Sequence, residues 1–120
     1  MKKLLQLTAF GAVIVLGIAF TQVAKSQTEP RRIEVTAKRF SFEPADITVK
    51  KGQPVTIVLH NIDTAHGLRF RELNIDLRAP AKGTGQVMFT PEKIGDFVGH
   101  CSVFCGSGHG SMELTLHVVE

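Results

Sequence analysis

Ile33-Glu34-Val35-Thr36-Ala37-Lys38 and Val55-Thr56-Ile57-Val58-Leu59-His60 set the fold class of this chain. In the first, Ile33, Val35 and Ala37 alternate with Glu34, Thr36 and Lys38. In the second, Val55, Ile57 and Leu59 alternate with Thr56, Val58 and His60. Successive side chains of a strand point to opposite faces, so this period of two marks strands half-buried against a core. Between them Ile47 and Val49 alternate with Thr48 and Lys50, and Lys51-Gly52-Gln53-Pro54 supplies a turn. Downstream come strand patterns at 86–90, 94–99 and 112–119, punctuated by Gly83, Gly85, Pro91 and Gly95. Residues 69–78 fit neither a strand nor a helix period, and no segment after residue 30 is helical in pattern. Several short strands with turns between them predict an all-β, antiparallel Greek-key sandwich or barrel. Met88 lies in a strand pattern and is assigned to the core. His60 and His117 are expected to face outward, and His100 to point away from Cys101 because neighbours on an extended chain face opposite ways.

Upstream of the strands the chain changes character. Lys2 and Lys3 precede an apolar stretch, and Ala24-Lys25-Ser26 offers a small-x-small triplet. Residues 1–26 therefore read as a signal peptide or an N-terminal membrane anchor. The purely apolar part, 9–20, is short of the roughly 20 residues a span needs, whereas 4–24 would be long enough. Residues 27–32 read as a linker containing Pro30, and 33–120 as one domain. On either reading the domain lies outside the cytoplasm, in the periplasm or on the outer face of the cytoplasmic membrane. Of the 120 residues, 14 are Lys or Arg and 11 Asp or Glu. Three of the basic ones, Lys2, Lys3 and Lys25, sit in the leader, so the domain itself is balanced. A nucleic-acid partner would call for a basic excess on one face, and none is evident.

The chemistry is concentrated in Cys101-Ser102-Val103-Phe104-Cys105-Gly106-Ser107-Gly108-His109-Gly110-Ser111-Met112. Glycines at 106, 108 and 110 let this loop curl so that two thiols, an imidazole and a thioether converge. Such a soft donor set prefers copper, and a thioether has little use for zinc. His66, after the polar turn 61–64, can supply a further donor. Other readings of the same residues are a Cys101–Cys105 disulfide, a zinc site of His66, Cys101, Cys105 and His109, and a mononuclear copper site of His66, Cys105, His109 and Met112.

The spacing Cys-x3-Cys-x3-His-x2-Met, with an upstream His-Gly, resembles the binuclear copper (CuA) domain of cytochrome c oxidase subunit II and of nitrous oxide reductase. Cys101, Cys105, His109 and Met112 fill every position of that loop, and His66-Gly67 matches the upstream pair. The resemblance extends more loosely, as a cupredoxin strand pattern, over 33–119. It implies two copper ions bridged by the thiolates of Cys101 and Cys105, with His66 on one and His109 on the other. Met112 and the backbone carbonyl of Val103 would be weak ligands. Two departures stand out. Val103 occupies the place where oxidase subunits usually carry glutamate, and the chain has no Trp, hence no tryptophan patch for cytochrome c.

The resemblance implies an electron-transfer protein, free-standing or a small oxidase subunit II-like component, with a redox protein partner such as a cytochrome or an oxidase. A copper storage or delivery protein is the competing class. The sequence holds no catalytic residues of its own and no small-molecule substrate site. Arg69, Arg71 and Arg78 form a basic run, either a solvated strand face or a docking patch for an acidic redox partner.

Overall fold

The computed structural model describes residues 11, 17–19 and 29–120, so the leader expected at 1–26 lies almost wholly outside the described residues. Among the described residues no helix is long and apolar enough to cross a membrane. In the described residues nine strands follow in order: β1 Arg31–Lys38, β2 Ser41–Glu43, β3 Asp46–Lys50, β4 Val55–Asn61, β5 His66–Phe70, β6 Ile75–Ala79, β7 Thr84–Phe89, β8 Gly95–His100 and β9 Glu113–Val119. Two short 3-10 turns, Arg71–Leu73 and His109–Ser111, interrupt them. The strand alternation is realised in packing. Val35 and Ala37 of β1, Val55, Ile57 and Leu59 of β4, and Leu114, Leu116 and Val118 of β9 enter one core. β1 begins at Arg31, two residues inside the segment read as linker.

One sheet has the order β2-β1-β4-β7 and the other β3-β9-β8-β5-β6, and they stack as a sandwich. The sheets are mixed rather than purely antiparallel. β1 runs parallel to β4, and β3 parallel to β9. Alternation reports which face a residue occupies and carries no information on the direction of the neighbouring strand. Parallel neighbours cannot be joined by a hairpin. Here the chain crosses to the second sheet through β3 before returning as β4.

Residues 69–78, which fit neither period, split into β5, a 3-10 turn closed by Asn74 in the left-handed region, and β6. Met88 corrects the sequence reading: it is 66% exposed. On the edge strand β7 it is Val87 and Phe89 that lean inward, so the same period that marks the strand turns Met88 out. Phe97, by contrast, is core. The sandwich has two distinct poles. Arg31 at the start of β1 bonds to the Pro54 carbonyl, while the far end of β1 reaches the loop of Cys105.

On the outer face of the five-stranded sheet, His117 joins three strands. Its Nδ1 meets Asp96 Oδ1 on β8 at 2.6 Å and its Nε2 meets Asp46 Oδ1 on β3 at 2.9 Å. The bond to Asp46, and next that to Asp96, raise the imidazole pKa. A histidine whose pKa is raised by folding stabilises fully below its unfolded value and loses that contribution as pH rises through the folded value. In the copper-free chain His117→Gln should therefore lower the thermal midpoint at pH ~6, and the gap to the parent should close toward pH ~9. Melting both proteins across that range tests it; a pH-independent gap would show that only packing is lost.

Candidate metal centre

The donors expected from the sequence gather at the pole where β4 ends and β9 begins. His66 opens β5, five residues beyond the end of β4, and its side chain is fully buried. Cys101 follows directly on β8, and its amide donates to the Met112 carbonyl at 3.2 Å, closing the mouth of the loop 101–112. Cys105 lies within that loop, His109 starts the second 3-10 turn, and Met112 caps it before β9. The donor atoms form a short chain. His66 Nδ1 is 3.8 Å from Cys101 Sγ, which is 3.9 Å from Cys105 Sγ, which is 3.7 Å from His109 Nδ1. Met112 Sδ lies 3.4 Å from Cys105 Sγ, and the Cys101 thiol donates to the Val103 carbonyl at 3.2 Å. Both cysteines are free thiols. All six residues singled out by the sequence are thus brought together. His60, His100 and His117 stand outside the cluster, paired with Glu34, Glu113 and the two aspartates respectively.

Several residues that the sequence reading passed over hold these donors in place. Asp63 Oδ1 accepts from His66 Nε2 at 2.7 Å, which leaves Nδ1 free to face the sulfurs. The same carboxylate accepts from the Thr64 amide at 2.6 Å and, through Oδ2, from the Arg39 amide at 2.7 Å. Burial would raise the Asp63 pKa. The hydrogen bonds from the Arg39 amide, the His66 ring and the Thr64 amide outweigh it and hold the carboxyl well below the usual range. Arg39 also donates from Nε to the Cys105 carbonyl at 2.9 Å. Asn61, buried at the end of β4, donates to the carbonyls of Ala79, Pro80 and His66 and so fixes the start of β5. Ser102 Oγ donates to Asp76 Oδ1 at 2.8 Å, tethering the first turn of the loop to β6. An Asp three residues before a ligand candidate was the one local signal available; the Arg39 contacts span 24 and 66 residues and left none.

The two thiols, two imidazoles and one thioether present soft donors, each in contact with the next, with the two thiols, His66 and Met112 shielded from water and His109 only in part. The donor set fits a copper ion or ions. Residues 9–112 match the model of the Cupredoxin-like domain. The chain belongs to that family. It is 28% identical over 96 residues to cytochrome c oxidase subunit 2 of Thermus thermophilus, covering 78% of this chain and 71% of that protein. It is 29% identical over 92 residues to the nitrous-oxide reductase of Cupriavidus necator, covering 73% of this chain but only 14% of that much longer protein. Among solved structures it superposes on the periplasmic domain of subunit II of the cytochrome oxidase of Bradyrhizobium japonicum. The TM-score is 0.68 at 18% identity, over 75% of this chain and 84% of that one. Family and donor cluster together support copper as the metal of this cupredoxin.

Burial, followed by the neighbouring Cys101, pushes the Cys105 thiol up to about 11. In the metal-free cupredoxin that thiol is protonated at neutral pH, and a metal must displace its proton to bind the sulfur. Apparent copper(I) affinity should therefore rise by at least about tenfold per pH unit between pH ~6 and ~8. Competition against a chelator of known affinity would measure it, and a flat profile would remove Cys105 from the ligand set.

The three loop glycines prove unequal. Gly106 sits at φ +138°, in the region that favours glycine, and a Cβ at Gly108 would stand 2.5 Å from Cγ and Cδ2 of Phe40. A Cβ at Gly110 would meet nothing within 4 Å. Gly108→Ala should cost about 1–3 kcal/mol in denaturant unfolding, as overpacking does, while Gly110→Ala should be close to neutral. Equal effects would mean that Phe40 gives way freely.

Proposed function

We propose that this cupredoxin is an electron-transfer protein whose centre takes two copper ions. The ligands would be His66, Cys101, Cys105, His109, Met112 and the carbonyl of Val103. The observation that carries this reading is the order of donors in space: imidazole, thiol, thiol, imidazole, each about one contact distance from the next. Two adjacent sulfurs with one imidazole at either end suit two metals that share the sulfurs. A mononuclear centre of His66, Cys105, His109 and Met112 would leave Cys101 a bystander, yet Cys101 is the sulfur in contact with His66 Nδ1. Bound copper would supply a one-electron couple.

The protein's own contribution is rigidity and dryness. His66 and Met112 are fully buried, His66, Cys101 and Met112 stand at strand ends, and Asp63 and Arg39 brace His66 and the loop that carries Cys105. A frame that resists rearrangement favours rapid electron exchange and slow metal release, which supports a carrier over a storage or delivery protein. It also suits an electron-transfer module without its own substrate site. Partners of this kind of module are a cytochrome or an oxidase, with the chain free-standing or part of an oxidase-type complex. We place it outside the cytoplasm, in the periplasm or on the outer face of the membrane, with residues 1–26 as cleaved signal or retained anchor. The relative of known structure, a periplasmic domain, supports that location.

Loading the full chain with copper under reducing conditions, then oxidising it, should give two coppers per chain. The electron paramagnetic resonance spectrum should show hyperfine structure from one electron shared by both nuclei. Cys101→Ser should abolish that shared signal, whereas Met112→Leu should keep both coppers and shift the reduction potential. A single copper with a localised signal that survives Cys101→Ser would replace this reading with the mononuclear one.

A further inference from the structure

Electron exchange between proteins requires the partner to approach the edge of a ligand. His66 and Met112 are fully buried and both thiols nearly so, while His109 reaches the surface. Beside it lies Phe104, ring centroids 5.6 Å apart, with 79% of its surface exposed. A concavity of about 440 Å³ opens next to His109, floored by Cys101 and Ser102 and rimmed by Arg69, Arg71 and His100. Arg69 faces outward on β5, in register with His100 on one side and Asp76 on the other.

The nearby carboxylates make their close contacts with residues other than Arg69 and Arg71. Asp76 is bound by Arg78 at 3.1 Å and by Ser102 at 2.8 Å, and Glu113 lies 3.7 Å from His100. Glu72 follows Arg71 on the 3-10 turn without an ion pair. Among the described residues, neither Arg69 nor Arg71 has a carboxylate within 4 Å. Two guanidiniums with no carboxylate in contact, Arg69 sharing only the longer-range field of Asp76 across the strand pair, therefore flank the exposed edge of a ligand and an exposed aromatic ring. Protein interfaces favour such a composition, with an aromatic anchor and arginines that pair carboxylates in a bidentate fashion.

We propose that this face docks an acidic redox protein, whose carboxylates pair with Arg69 and Arg71 while an apolar contact covers Phe104. The proposal rests on the electron-transfer reading of the centre. Each productive encounter moves one electron between partner and centre, so that one is oxidised as the other is reduced. Arg78, third in the basic run of the sequence, takes no part, because Asp76 holds it.

The test uses the full chain and two probes of opposite charge, an acidic and a basic c-type cytochrome. Binding is followed by nuclear magnetic resonance on the labelled copper-free chain, and electron exchange by stopped flow on the loaded one, at low and raised ionic strength. The acidic probe should bind with shifts centred on Arg69, Arg71, Phe104 and His109, and both affinity and rate should fall with salt. Replacing Arg69 and Arg71 by Gln should lower both by about tenfold. Replacing Lys50 and Lys51, at the opposite pole, removes the same charge and should change them by less than about twofold.

Preference for the basic cytochrome, or indifference to the arginine substitutions, would overturn the proposal. With ferricyanide added as a third, small-anion oxidant, an effect of the arginine substitutions confined to it would likewise overturn the proposal and make the concavity a small-anion site. If the loaded chain exchanges electrons with a neutral mediator but shows no preference between cytochromes, docking fails and the electron-transfer reading stands. If no redox-active copper is held, that reading fails, and the binding data on the copper-free chain still decide the docking face.

Discussion

Asp63 accepts hydrogen bonds from the Arg39 amide, the Thr64 amide and the His66 ring, and the geometry of the donor cluster depends on that one carboxylate. Through His66 it orients the donor on β5. Through Arg39 it is joined to the end of β1, and the Arg39 guanidinium then reaches the Cys105 carbonyl in the other ligand-bearing loop. Two segments distant in sequence are thereby held against each other by hydrogen bonds to charged groups, which are stronger than neutral ones and shorter in range of motion. Phe40, the next residue, completes the brace by packing on Gly106 and Gly108. The turn between β1 and β2 carries none of the clustered donors and yet supports the segments that do.

The same brace explains how so polar a cluster tolerates burial. A dry pocket raises the cost of charge, which is why the Cys105 thiol resists ionisation without metal. The His66 ring and the carbonyls of Val103 and His66 each find a partner: Asp63 for the ring, the Cys101 thiol for Val103, Asn61 for the His66 carbonyl. The centre is thus preorganised by ordinary hydrogen bonds before a metal enters, and the exchange of thiol protons for a cation is the step that changes its charge. Rigidity follows from placement at strand ends. Cys101 and Met112 close the loop mouth between β8 and β9, two strands paired in register from Gly95 to Glu113.

The two faces of the five-stranded sheet divide the labour. The inner face supplies the core residues Leu68, Phe70, Leu114 and Leu116, while the outer face carries rows of charge. At one end a row runs across the strands through Glu113, His100, Arg69 and Asp76, and farther along His117 is clasped by Asp96 and Asp46. In the row nearest the centre Arg69 stands between His100 and Asp76 with no carboxylate within 4 Å.

What the sequence determined by itself was local and chemical. Alternation at 33–38, 47–50 and 55–60 located strands because side-chain direction reverses at every residue, whatever the neighbours do. The spacing of Cys101, Cys105, His109 and Met112 located the donor loop because donors a few residues apart on a flexible loop can converge without help from the rest of the fold. His66 could be named as the distant donor, but not the reason its ring is turned correctly. Asp63 stands only three residues before His66, but what holds it in place was left to tertiary structure, since Arg39 and Phe40 act through contacts across tens of residues, and no periodicity encodes such pairs. Strand direction was likewise beyond reach: the parallel pairs β1–β4 and β3–β9 come from a crossover between sheets, and alternation reads the same in either sense. Met88 went wrong for a related reason. Apolar character suggested the core, but which parity of an edge strand faces inward is set by the sheet packed beneath it, and there Val87 and Phe89 had already taken the inner positions.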